Sequence, residues 1–129
     1  MENDSNCLLL VSAIKPIRSR EMGYVYIITN TMRTTIYIGV TNNIKRRILE
    51  HKCGVGSKFS HRYHLTVLIY FESTDRIIDA IAREKQLKNW HSDWKWNLAK
   101  QANPKLNDLA EDWYTREEIE NYRQMFTEE

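Results

Sequence analysis

Two runs of β-branched and aromatic residues, Gly23-Tyr-Val-Tyr-Ile-Ile-Thr-Asn30 and Thr35-Ile-Tyr-Ile-Gly-Val-Thr41, stand four polar residues apart and lead straight into a basic segment. Such runs on either side of a short polar turn predict an antiparallel hairpin. Alternation along the first strand puts Tyr24, Tyr26 and Ile28 on one face and Val25 and Ile27 on the other, while in the second Tyr37 and Gly39 oppose Ile36 and Ile38. Tyr26 and Tyr37 are therefore expected to be cross-strand neighbours, and Tyr24 is read as structural.

Thr41 or Asn42 is expected to cap a helix over 43–52 that Gly54 ends. Ile44 and Ile48 mark its buried line, with His51 about 20° from that line and Arg47 about 60° from it at 100° per residue. Two phenols, a guanidinium and an imidazole thus converge on one spot, a set that suits a phosphodiester. Residues 53–62, with Gly54, Gly56 and Ser57, read as a loop, and Leu65–Phe71 as a third, central strand. Ser73, Thr74 or Asp75 is expected to cap a second helix over 76–90, in which Ile77, Ile81, Glu84 and Lys88 share a direction. Glu84 then points at the sheet, where an isolated carboxylate is costly and must be paired, neutralised or bound to a cation. The spacing of Trp90, Trp94 and Leu98 predicts that helix continues or restarts as far as about Ala102, with Trp90 and Trp94 read as core. Asn103-Pro104 ends it. Thr115-Arg-Glu-Glu118 is a capping-box pattern before an acidic amphipathic helix.

The expected class is α+β: a small three-stranded antiparallel sheet flanked by helices, with a helical C-terminal extension. A chain of 129 residues, 42% hydrophobic, holds one compact domain. The expected division is an N-terminal extension over 1–21, a catalytic domain over 22–109 and an acidic tail over 110–129, with Met22 a candidate natural start. The net charge of +2 hides an asymmetry: residues 15–62 carry ten Lys and Arg against Glu21 and Glu50, and residues 108–129 carry eight acids against Arg116 and Arg123. The basic half, with Lys45, Arg46, Lys52, Lys58 and Arg62, is the candidate nucleic-acid surface, and His61 and His64 adjoin it. Cys7 and Cys53 make no disulfide framework or zinc spacing, and Leu8–Ile14 is too short to span a bilayer, so a reducing cytoplasm and no membrane are expected.

Phosphodiester hydrolysis needs an in-line water, a group to take its proton, and cations for the developing charge. Tyr37 supplies a proton acceptor, Arg47 a planar fork for phosphate, His51 a phosphate or proton partner, and Glu84 one ligand for a divalent ion. Taken singly, the tyrosines also read as strand aromatics, Arg47 and His51 as a helix pair packed on Glu50 or the 53–62 loop, and Glu84 as the partner of Lys88 or Arg47.

In their order and spacing GYVYIITN, YIGVTNNIKRRILEHK, AIAREKQLKNW and NPKLNDL resemble the GIY-YIG homing-endonuclease and repair-nuclease superfamily, its small single-domain bacterial members above all, from about Gly23 to Leu109. The resemblance implies a Mg²⁺- or Mn²⁺-dependent endonuclease acting on DNA, branched or damaged substrates included, in repair or recombination. It carries catalytic roles to Tyr26, Tyr37, Arg47, His51 and Glu84, the last as metal ligand, and the motif glycine to Gly39. The first tripeptide is Tyr-Val-Tyr where the family has Gly-Ile-Tyr. Val40 stands where some repair members carry a lysine, whose role falls to Lys45 or Arg46 or is absent. The family's late Asn matches Asn107 or Asn103. Two other readings stay open: a nucleic-acid-binding module without catalysis, and a subunit that works with a protein partner or as a homodimer through the Trp90–Trp96 segment or the C-terminal helix.

Overall fold

The computed structural model describes residues 21–126. Readings that fall on residues 1–20, Cys7 and Leu8–Ile14 among them, lie outside the described residues. Three strands, β1 (Gly23–Thr29), β2 (Ile36–Thr41) and β3 (Val67–Thr74), form one antiparallel sheet in the order β2-β1-β3. The hairpin is present, and the central strand is β1 rather than β3. A register shift between Ile27 and Ile28 puts a bulge in the β1–β3 ladder, so Ile27 faces Tyr70 and Ile28 faces Leu68.

Both faces of the sheet are covered, which is why the strands read as nearly continuous apolar runs. On one face Val25, Ile27, Ile38 and Val40 pack with Ile77, Ala80 and Leu87 of α3 (Ile77–Lys88) and Ala99 of α4 (Ser92–Ala102). On the other, Tyr26, Ile28 and Tyr37 pack with Ile44 and Ile48 of α1 (Ile44–Lys52), and Trp113 and Tyr114 close the edge. Between α1 and β3 lies α2 (Lys58–Arg62), and α5 (Arg116–Gln124) ends the described chain.

Several local expectations give way to the structure. Residues 53–62 are not all loop: Ser57 accepts from Ser60 N and starts α2, an N-cap too short-ranged to show as periodicity. The α1 cap is Asn43, whose side chain accepts from Arg46 N, while Thr41 Oγ accepts from Asn43 N. None of Ser73, Thr74 or Asp75 caps α3. Ser73 and Thr74 continue β3, and Ile77 N donates to Glu21 O at 2.7 Å instead. Helix restarts, at Ser92 after a break at Lys88, as one of the two readings had it, but Trp94 is not core: the break turns it outward at 54% exposed while Trp90 and Trp96 lean on the core. The Thr115 capping box forms as its spacing requires.

Candidate active site

The first strand pair sets the centre. Tyr26 faces Gly39 across the ladder, two pairs along from Ile28 opposite Tyr37, so the two tyrosines sit diagonally on one face with ring centroids 6.5 Å apart. Tyr26 is fully buried and lies across Gly39: a Cβ there would strike its hydroxyl end. Since Tyr26 is held by hydrogen bonds, it has no room to yield. Gly39→Ala is expected to cost about 1–3 kcal/mol or more, as overpacking does, read as a lowered urea midpoint with an unchanged slope.

Helix α1 delivers the next two groups. Arg47 Nε donates to the Tyr26 hydroxyl at 3.3 Å and Nη1 to Glu50 Oε1 at 2.9 Å. Burial works against the guanidinium's charge, but the Tyr26 and Glu50 oxygens outweigh it and hold the pKa above the ordinary arginine value. One turn on, His51 is 2% exposed, with Nε2 at 2.8 Å from Tyr26 Oη and Nδ1 at 2.9 Å from Ser60 Oγ. The Ser60 hydroxyl donates to Ser57 O, so it accepts from His51 Nδ1–H, and Nε2 is left to accept the Tyr26 proton. The ring also packs on Gly56, where a Cβ would collide with it.

Burial, and then the Arg47 charge, push the His51 pKa down to about 3, so the imidazole is neutral near pH 7. Unfolded, it takes a proton near its ordinary 6.5. Between those values the unfolded chain binds more protons, and stability rises with pH. His51 stabilisation is thus complete above about pH 6.5 and drains away as pH falls toward about 3. Denaturant midpoints over that range should slope less steeply in His51→Gln than in the native chain.

From the opposite side of the sheet, α3 brings the acid. Its buried line is Ile77, Ala80, Glu84 and Leu87, half a step from the Ile77–Ile81–Glu84–Lys88 line the spacing suggested, and Glu84 is 2% exposed. Arg83 clamps α3 to β3 through two bonds to Glu72, at 3.0 and 3.1 Å. Lys88 Nζ reaches Glu84 Oε2 at 2.7 Å and lies 5.8 Å from the centre of the Tyr37 ring. One ammonium therefore joins the acid to the second tyrosine. Glu84 is a single buried hard oxygen donor already paired with a cation, the type of ligand of which an ion such as Mg²⁺ or Mn²⁺ that keeps its waters takes few. Among the described residues no group of three or more His, Cys, Asp and Glu stands ready to hold a metal. Lys88, 28% exposed on a flexible stem, has solvent to move into.

Other candidates fall elsewhere. Lys45, Arg46, Lys58 and Arg62 are exposed, as are His61 and His64. Lys52 instead binds Asp108 at 2.6 Å and Thr66 O at 2.9 Å, which ties α1 to the C-terminal segment. Asn103 is buried and spent on backbone: its amide donates to Ile69 O and Asn107 O, and its oxygen accepts from Asn107 N. The Asn107 side chain is exposed. Cys53 is a free, half-buried thiol whose Sγ meets Ile119 O of α5. Sequence reasoning missed Ser57 and Ser60, which orient His51, and Phe59, whose ring stacks on Tyr37 at 5.9 Å and 27°. The Ser57-x-x-Ser60 spacing was the available signal. Among the described residues no helix is long and apolar enough to cross a membrane.

The family model described as the GIY-YIG catalytic domain matches residues 22–97. Curated relatives are small proteins matched over most of their length. A UPF0213 protein of Haloquadratum walsbyi is 32% identical over 61% of this chain and 88% of its own. One from Pediococcus pentosaceus is 31% identical over 67% of this chain and 92% of its own. One from Syntrophus aciditrophicus is 35% identical over 60% and 90% respectively. Archaeal as well as bacterial proteins are among them, so the likeness to bacterial members is too narrow. No solved structure matches the chain.

Proposed function

The chain belongs to the GIY-YIG family, and on that premise we propose that it is a divalent-metal-dependent endonuclease that hydrolyses DNA phosphodiester bonds. One observation carries the reading: the Tyr26–Arg47–His51 network and the Lys88–Glu84 pair meet at Tyr37 from opposite sides of the sheet. A pure structural core would not gather a guanidinium, two phenols and a buried acid there.

In this reading Tyr37 acts as a phenolate: its own proton is first given up to solvent, with the Lys88 ammonium beside its ring to balance the charge. The phenolate then takes the proton of the attacking water, and the leaving oxygen is protonated by solvent. Arg47, fixed by Tyr26 and Glu50, binds a non-bridging phosphate oxygen and stabilises the charge that grows on it. Neutral His51 holds the Tyr26 hydrogen, so the Tyr26 oxygen keeps its lone pairs toward Arg47 and the guanidinium stays in place. That makes His51 a positioning residue rather than a cationic phosphate binder. Glu84 would hold the Mg²⁺ or Mn²⁺ ion, whose charge polarises the phosphate and lowers the pKa of bound water. Lys45, Arg46, Lys58 and Arg62 present the basic surface that meets the strand.

The Lys88–Glu84 pair also favours a second reading, binding without cleavage, because it balances the carboxylate with no metal. Incubating the purified chain with labelled single-stranded, duplex and branched DNA, with Mg²⁺, Mn²⁺ or EDTA, separates the two. Cleavage in metal alone supports the nuclease. Salt-sensitive binding with no cleavage in any condition would leave the binder.

A further inference from the structure

Two aromatic rings on the rim of the candidate site stay more than a third exposed. Phe59 on α2 stacks one way on Tyr37, yet stays 39% exposed, and Tyr63 just past α2 is 41% exposed and belongs to neither core cluster. Their centroids are 4.8 Å apart, and the Arg62 guanidinium lies 5.6 Å from the centre of the Tyr63 ring. A continuous aromatic path therefore runs from buried Tyr37 through Phe59 to Tyr63 at the surface. The helix beneath it, Lys-Phe-Ser-His-Arg, holds no acid, and Lys58 and Arg62 flank the rings.

We propose that Phe59 and Tyr63 form a stacking platform for a nucleobase of the strand whose phosphate lies at Tyr37 and Arg47. This deepens the nuclease reading and rests on it. Flat π-faces beside cations are the means by which proteins hold unpaired bases, since every base has a face to stack and a phosphate to neutralise. In a regular duplex both faces of each base are covered by its neighbours, so the platform can take only a base that is unstacked: one in a single strand, at a gap or end, or at a junction. Its position against Tyr37 makes the unpaired base a neighbour of the bond to be cut. The substrate class it selects is a strand with an unpaired base at the cleavage point.

The test is equilibrium binding of the full chain in EDTA, by fluorescence anisotropy, to a labelled single-stranded oligodeoxynucleotide and to an abasic strand with the same number of phosphates. The base-bearing strand is expected to bind about tenfold tighter, within the range that stacking of one base supplies. Tyr63→Ala and Phe59→Leu should erase that preference and leave affinity for the abasic strand unchanged. Equal binding of both strands by the native chain, or a preference that survives Tyr63→Ala, overturns the platform while the nuclease reading stands. No binding of either strand at low salt also overturns the platform, and the nuclease reading is then decided separately by the cleavage of duplex and branched DNA.

Discussion

Replacing Tyr37 by Phe is expected to lower the cleavage rate by about 10²–10⁴-fold, the range that a positioned general acid or base contributes, with little change in thermal midpoint. The substitution removes one hydroxyl and keeps the ring, which packs beside Tyr26, stacks on Phe59 and meets His51. Tyr26→Phe is a different experiment. Its hydroxyl is joined to both Arg47 and His51 in the interior, so deleting it strands a buried imidazole nitrogen and loosens the guanidinium. Stability and rate should fall together there, whereas in Tyr37→Phe the loss of rate should far outweigh the loss of stability. A stopped or single-turnover assay beside thermal unfolding distinguishes the two patterns.

Glu84→Gln is expected to abolish the response to Mg²⁺ and Mn²⁺ altogether. The amide keeps the shape of the carboxylate and loses its charge, and a hard divalent ion has little use for it. The structural cost is specific. Lys88 loses its partner at 2.7 Å, but its exposed fraction lets the ammonium reach water, so the loss should be smaller than when a fully buried pair is broken. Lys88→Gln in an otherwise native chain gives the reciprocal outcome: Glu84 becomes a buried charge without its ammonium, and adding Mn²⁺ should raise the thermal midpoint more than it does in the native chain.

Much of this was legible in residue order. Strand alternation placed Tyr26 and Tyr37 on one face, because a period of two tolerates no ambiguity once both strands are apolar. Helical phase brought His51 inward on α1 and Glu84 inward on α3. What escaped was set by tertiary contact. The choice of Ala80 over Ile81 for the buried line follows from how closely α3 approaches the sheet: at Gly23 a Cβ would lie 2.6 Å from the Ala80 Cβ. Continuation and restart of helix between α3 and α4 could not be told apart because Trp90, Trp94 and Leu98 keep helical spacing across the break. The hold of Ser57 and Ser60 on His51 arises in a five-residue helix behind two glycines, where no periodicity can develop. Asn103 shows the converse, since a residue beside a motif proline was spent on closing the turn after α4.

In the proposed mechanism Tyr37 and Glu84 serve one metal-dependent hydrolysis from opposite sides of the sheet. Single-turnover cleavage of labelled DNA against Mg²⁺ concentration, for the native chain, Tyr37→Phe and Glu84→Gln, tests it most directly. A saturating rise is expected for the native chain, the same metal dependence with a far lower plateau for Tyr37→Phe, and a flat line for Glu84→Gln. Native cleavage that persists in EDTA, or a Glu84→Gln curve that matches the native one, would contradict it.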